Sequence, residues 1–226
     1  MTQRERISLT PAQRFVGYAL QIGAMELIPG GRKLKSGRMS PYFFNSGLFK
    51  TGHDLAELAT AYAKLIYIGD RPKVIFGPAY KGITLAAAIA VTLGNSIEYA
   101  FNRKEIKDHG EGGIVVGASL EEKKVCIADD VMTTGTSSGE AVDIIRANGG
   151  TPIACVIAFD RQERGNEGNR SAVQEFEKNY GIPVRAVATL ADLIAYLQTA
   201  VNDGGPDRIG KALDSILAYQ RMYGVS

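Results

Sequence analysis

The sequence predicts an α/β fold in which a mostly parallel, doubly wound sheet is covered by helices on both faces. Three observations carry this. Short β-branched runs alternate with helical stretches from Asp54 onward. Those runs are continuously apolar, as strands buried on both faces must be. The 226 residues, 45% of them hydrophobic, suffice for one sizeable core. We therefore expect a single domain over residues 1–226.

The elements follow in order. Thr10 and Pro11 form an N-cap and first-turn pair, opening a helix with Phe15, Tyr18, Ala19 and Ile22 at helical spacing. "DLAELATAYAKLIYIG" from Asp54 reads as a second helix, and "KVIFGPAY" from Lys73 as a strand ended by Gly-Pro. Next come a helix from Ile83, a strand from Ser96, a polar loop from Lys104 and the strand "KVCIADDV" from Lys124. A helix from Ser138 and the strand "PIACVIAFD" from Pro152 complete the centre. A helix from Ser171, a strand from Val184 and helices around Ala191 and Ile209 close the chain, the last two joined by the turn "NDGGPD".

Global properties exclude several functions. A net charge of +2 gives no reason to expect nucleic acid or an anionic membrane as partner. The apolar run "ITLAAAIAVTLG" is well short of the ~20 residues a membrane helix requires, and "MTQRERISLT" lacks the apolar segment of a targeting signal. Cys126 and Cys155 each sit inside an apolar strand, so they read as core thiols in a reducing, cytoplasmic setting.

The stretch with most chemistry is "VCIADDVMTTGTSSGEA", Val125 to Ala141. Asp129 and Asp130 stand where the strand gives out, on the carboxyl edge where such sheets bind ligands. Ionised carboxylates only accept hydrogen bonds, which suits sugar hydroxyls or metal-bound water and repels phosphate. A few residues later the chemistry inverts. Thr133, Thr134, Gly135 and Thr136 can turn backbone N–H groups and hydroxyls toward an anion, and Ser137-x-x-Glu140 reads as a capping box opening the next helix. A ribose 5-phosphate satisfies both halves. By residue type alone the same stretch could be a solvated strand end and a turn.

Rival phosphate motifs fail. "GPAYKGIT" has P-loop glycine spacing, but Ile83 stands where the phosphate-binding lysine must be, and no G-x-G-x-x-G follows a strand. Neither His53 nor His109 has a partner at metal-ligand spacing.

The string "VCIADDVMTTGTS" resembles the phosphoribosyl diphosphate signature of the type I phosphoribosyltransferases, and further stretches resemble the orotate-using branch of that family. The resemblance spans most of the chain. It implies that Asp129, Asp130, Val131, Met132, Thr133, Thr134, Gly135, Thr136 and Ser137 bind 5-phosphoribosyl 1-diphosphate. "LKSGRMSPYFFNSG" is similar to an N-terminal hood, here within residues 1–50. Lys35, Phe43 and Phe44 would then meet orotate, with Thr133. "FGPAYKG" is similar to a diphosphate-binding loop, implying roles for Tyr80 and Lys81 and a cis bond between Ala79 and Tyr80. Gly77 and Gly82 permit the tight backbone such a loop needs. "RKEIKDHGEGG" resembles a mobile catalytic loop that closes over the diphosphate from the neighbouring subunit of a homodimer, through Arg103, Lys104, Lys107 and His109. Arg161 in "FDRQERG" matches the residue that recognises orotate, and a guanidinium suits a carboxylate beside a ring carbonyl.

The implied reaction is phosphoribosyl transfer to orotate in pyrimidine biosynthesis, giving orotidine 5′-monophosphate and diphosphate. Mg²⁺ would be held through diphosphate, ribose and water, with no direct protein ligand. Lys107, Asp129 and Asp130 would be catalytic. Two readings compete: a sensor of the sugar diphosphate, which would need neither loop lysines nor Arg161, and a transferase for another base.

Overall fold

The computed structural model describes residues 9–34, 36–94, 97–107, 113–165 and 168–225, with the backbone alone at residues 106 and 107. The chain opens on α1 (Pro11–Gln21), where the Thr10 hydroxyl accepts from the Gln13 N–H and the Gln13 side chain returns the bond. That is a complete capping box, and it sets where the helix begins.

Two antiparallel strands follow, β1 (Met25–Lys33) and β2 (Met39–Phe44), then a 3₁₀ turn at Ser46–Leu48. Pro29, Gly30 and Gly31 lie within β1, where the register slips between Leu27 and Arg32. A bulge absorbs these turn-type residues without ending the strand.

The main sheet comprises β3 (Val74–Gly77), β4 (Glu98–Lys107), β5 (Gly113–Gly117), β6 (Lys124–Val131), β7 (Thr151–Asp160) and β8 (Val184–Thr189). Its order is β5-β4-β3-β6-β7-β8, parallel throughout except for the antiparallel edge strand β5. The helices are α2 (Gly52–Ile66), α3 (Lys81–Leu93), α4 (Thr136–Ala147), α5 (Ala172–Tyr180), α6 (Leu190–Asn202) and α7 (Asp207–Tyr223).

Alternation along the central strands divides the core in two. Cys126, Ala128, Val156 and Ala158 face α1, α2, α3, α6 and the small sheet, while Val125, Ile127, Cys155 and Ile157 face α4 and α5. Both thiols are free, fully buried and on opposite faces.

The doubly wound parallel sheet is as expected, with local differences. The segment from Lys104 is not a loop at its start, because β4 continues to Lys107 and pairs there with β5, a strand the sequence reading lacks. Charged residues are tolerated at this edge because water solvates one side. Helix α4 starts at Thr136 rather than Ser138, and no Ser137–Glu140 capping box forms.

Candidate active site at the switch point of the sheet

The chain leaves β3 toward β4 on one side of the sheet and leaves β6 toward β7 on the other. Loops from the carboxyl ends of β3 and β6 therefore diverge, and a crevice opens between them. A cavity of ≈ 250 Å³ lies there, lined by Asp129, by Val131 to Ser138 and by Lys104 from β4.

Asp129 and Asp130 stand at the end of β6, only 6% and 8% exposed. Asp129 is held mainly by near neighbours in sequence, and Asp130 by side chains far from it. The Ser138 hydroxyl donates to Asp129 Oδ2 (3.1 Å), the Asp130 N–H donates to Asp129 Oδ1 (2.9 Å), and the Tyr62 hydroxyl reaches the Asp129 carbonyl (2.7 Å). The Ser46 hydroxyl donates to Asp130 Oδ2 at 3.1 Å, and Lys81 Nζ lies 2.5 Å from the same oxygen. Burial, then the neighbouring Asp130 charge, push the Asp129 carboxyl up to about 6. The pair is thus preorganised as acceptors, with Asp129 near its titration point.

The phosphate-type half of the site is made of backbone. Helices α3 and α4 both begin at the crevice, and neither has a side-chain cap. Gly135 sits at φ 74°, in the left-handed region open to glycine, and the first bond of α4 is Gly139 N–H to the Gly135 carbonyl. The N–H groups of the first turn before it are oriented for an anion. Thr134 and Thr136 hydroxyls lie 3.0 Å apart beside them. On the β3 side the Ala79–Tyr80 peptide is cis, and the Ala79 N–H donates to the buried Asn102 side chain at 2.9 Å. A Cβ on Gly77 would stand 1.9 Å from the Gly82 carbonyl oxygen, so this loop closes only with glycine at that position.

Residues 50–189 match the family described as the phosphoribosyl transferase domain. Orotate phosphoribosyltransferase of Marinobacter nauticus is 50% identical over 94% of this chain and 98% of its own. That of Cupriavidus metallidurans is 47% identical over 95% of this chain and 96% of its own. The crystal structure of the Francisella tularensis enzyme of that name has a TM-score of 0.78 at 38% identity, covering 93% of this chain and 99% of that one. The chain belongs to the orotate phosphoribosyltransferase family. A Mycobacterium tuberculosis orotate phosphoribosyltransferase, solved in complex with 5-phospho-α-D-ribosyl 1-diphosphate, shares the fold at TM-score 0.62 and 20% identity, over 81% of this chain and 99% of that chain.

In this orotate phosphoribosyltransferase family member the remaining expected residues fall in four groups. Tyr80 is 72% exposed, and Lys104 Nζ lies 5.9 Å from its ring centroid, so the β3 loop and the end of β4 meet at one rim. Arg103, partly exposed, precedes Lys104 on β4. Lys35, His109 and the Lys107 side chain lie outside the described residues.

The aromatic pair separates. Phe44 is core, stacked on Phe159 at 5.7 Å and packed near Phe15 and Phe49, whereas Phe43 is half-buried beneath the Arg32 guanidinium at 4.0 Å. Neighbours on a strand face opposite ways, so the two rings cannot share one face, and Phe43 is the one outside the core.

Arg161, just past β7, is mostly buried: its NH2 donates to Ser40 Oγ (2.9 Å) and lies 2.5 Å from Glu163 Oε1, and its guanidinium sits 4.3 Å from the Tyr42 ring centroid. Ser46, Tyr62, Asn102, Ser138 and Glu163 were not singled out from sequence. Ser46 and Glu163 lie inside stretches that the family resemblance had marked, while Tyr62 and Asn102 carry no sequence signal.

Proposed function

We propose that this chain transfers the 5-phosphoribosyl group of 5-phosphoribosyl 1-diphosphate to orotate, giving orotidine 5′-monophosphate and diphosphate. The observation that carries the reading is the meeting, at one switch point, of two buried carboxylates and two uncapped helix starts. Asp129 and Asp130 accept from the ribose hydroxyls and support the positive character that develops on the ribose ring. Thr133 to Ser137 take the 5-phosphate on backbone N–H groups and hydroxyls. Diphosphate leaves against Lys81, Lys104, Lys107 and His109, with Tyr80 and Arg103 at the same rim. Aimed donors of this kind are commonly worth ~10²–10³ each in rate.

Lys81 rests on Asp130 at 2.5 Å with its side chain 54% exposed. In the proposed complex the two part: Lys81 turns to the diphosphate, and Asp130 exchanges an ammonium for a hydroxyl. Arg161 holds the orotate carboxylate, with Lys35, Thr133 and Phe43 about the ring.

The donor set suits a divalent cation carried mainly by substrate. Among the described residues no three His, Cys, Asp or Glu side chains cluster, while Asp129 lines the cavity where ribose hydroxyls would stand. Mg²⁺ bound there would supply charge neutralisation of the departing diphosphate.

We further propose a homodimer in which the Arg103 to Gly113 segment completes the neighbour's site, in a reducing cytoplasmic setting. The reading is tested by orotate consumption in the presence of the sugar diphosphate and Mg²⁺, beside a control in excess chelator. Turnover should require both additions, and full activity in chelator would contradict it.

A further inference from the structure

Glu163 is the hub of a buried polar cluster that joins three parts of the fold. Its Oε1 accepts from the Tyr42 hydroxyl of β2 at 3.0 Å and lies 2.5 Å from Arg161 NH2. Its Oε2 accepts from the Tyr219 hydroxyl of α7 at 3.0 Å, with Arg38 NH1 at 3.8 Å. Arg38 also donates to the carbonyls of Arg164 (2.6 Å) and Gly165 (3.1 Å). The backbone is tied as well. Glu163 bridges to Gly224, the Arg164 N–H donates to the Tyr223 carbonyl (2.8 Å), and the Val225 N–H donates to the Gln162 carbonyl (2.9 Å). The end of the chain is therefore stitched along the segment that carries Arg161.

A carboxylate only accepts, so two hydroxyl donors on fixed rings leave it one orientation. Burial, then the Glu163 charge, raise the Tyr219 hydroxyl to about 12, and burial raises the Tyr42 hydroxyl as well, so both stay donors at neutral pH. The guanidinium is held in turn, with one face on Tyr42 and NH2 on Glu163 and Ser40. Its Nε is buried and has no hydrogen-bond partner among the described residues. The printed contacts hold NH2 and one face of the guanidinium, and the unpaired buried Nε is a donor that a planar acceptor would satisfy.

We propose that Glu163 is the positioning residue for Arg161 and that, through Tyr219, the C-terminal helix sets how tightly the orotate carboxylate is held. The inference rests on the reading of Arg161 as the orotate contact. It adds that orotate affinity depends on residues that never touch orotate, one of them on the last helix.

The test is steady-state kinetics on Glu163→Gln, Tyr219→Phe, Arg161→Ala and the Arg161→Ala/Glu163→Gln double variant, with a thermal midpoint for each. Glu163→Gln should raise the KM for orotate about tenfold while leaving that for the sugar diphosphate within about twofold, because it loosens one charge-assisted contact. Tyr219→Phe should move the same constant in the same direction by a smaller factor. In the Arg161→Ala background Glu163→Gln should add nothing, since residues acting as one unit are not additive. Parallel change of both Michaelis constants, or full additivity, would make Glu163 a structural ion-pair partner and overturn the inference alone. If Arg161→Ala leaves the orotate KM unchanged, the reading of Arg161 and this inference fall together. Should Glu163→Gln not accumulate as folded protein, Tyr219→Phe decides, and an unchanged orotate KM there overturns the proposal.

Discussion

Asp129 is ionised at neutral pH against its surroundings, since burial and the Asp130 charge push its carboxyl up to about 6. The folded-state value stands above the ordinary 3.8, so the protonated group favours the fold at low pH and that contribution is lost as pH rises through about 6. At pH 8 the ionised carboxylate then costs on the order of 3 kcal/mol. Asp129→Asn should raise the thermal midpoint by several degrees at pH 8, at ~2–4 °C per kcal/mol for a chain of this size, and change it little at pH 4. Turnover should fall by ~10²–10³ in the same variant. Scans at both pH values check this, and equal midpoints at pH 8 would contradict it. Asp129 was legible in sequence because the acids and the hydroxyls lie within one short string. The groups that hold the acids, Ser46 and Tyr62, were not, because they reach β6 from before the main sheet begins and only folding brings them there.

At the scale of elements, the two loops at the switch point differ in what enforces them. The β3 to α3 loop depends on the absence of side chains, with Gly77 and Gly82 backbones in contact. Gly77→Ala should separate them, costing ~1–3 kcal/mol as overpacking does, and should raise the KM for the sugar diphosphate far more than that for orotate. A thermal scan and both Michaelis constants check it, and an unchanged sugar diphosphate KM would contradict the loop's role. The main strands and helices were readable from their apolar runs and breakers. The Ser137–Glu140 pattern misled because a capping box needs a helix starting at that residue, and Gly135 starts α4 earlier. Complete boxes form instead at Thr10, Thr51, Ser171 and Thr189. Strand β1 was hidden by its own Pro-Gly-Gly, and β5 by the glycines at both its ends.

At the scale of the whole molecule, the proposed sharing of the Arg103 to Gly113 segment between subunits has a distinct outcome. Lys104 lines the cavity of its own chain, so the partner would contribute from beyond it. Lys107→Ala and the Asp129→Asn/Asp130→Asn pair should each be nearly inactive. When equal amounts exchange subunits, activity should recover to about a quarter of wild type, because half of the dimers are mixed and half of their sites are whole. No recovery despite demonstrated exchange would place the segment in its own subunit's site. The central claim is that the crevice between β3 and β6 joins a ribose site to an orotate site. It is tested most directly by kcat/KM for orotate against uracil, adenine and hypoxanthine, with the sugar diphosphate and Mg²⁺ held constant. Orotate should exceed each of the others by at least ~10²-fold, since only it carries the carboxylate that Arg161 can hold. Equal or better turnover of a purine would contradict the account.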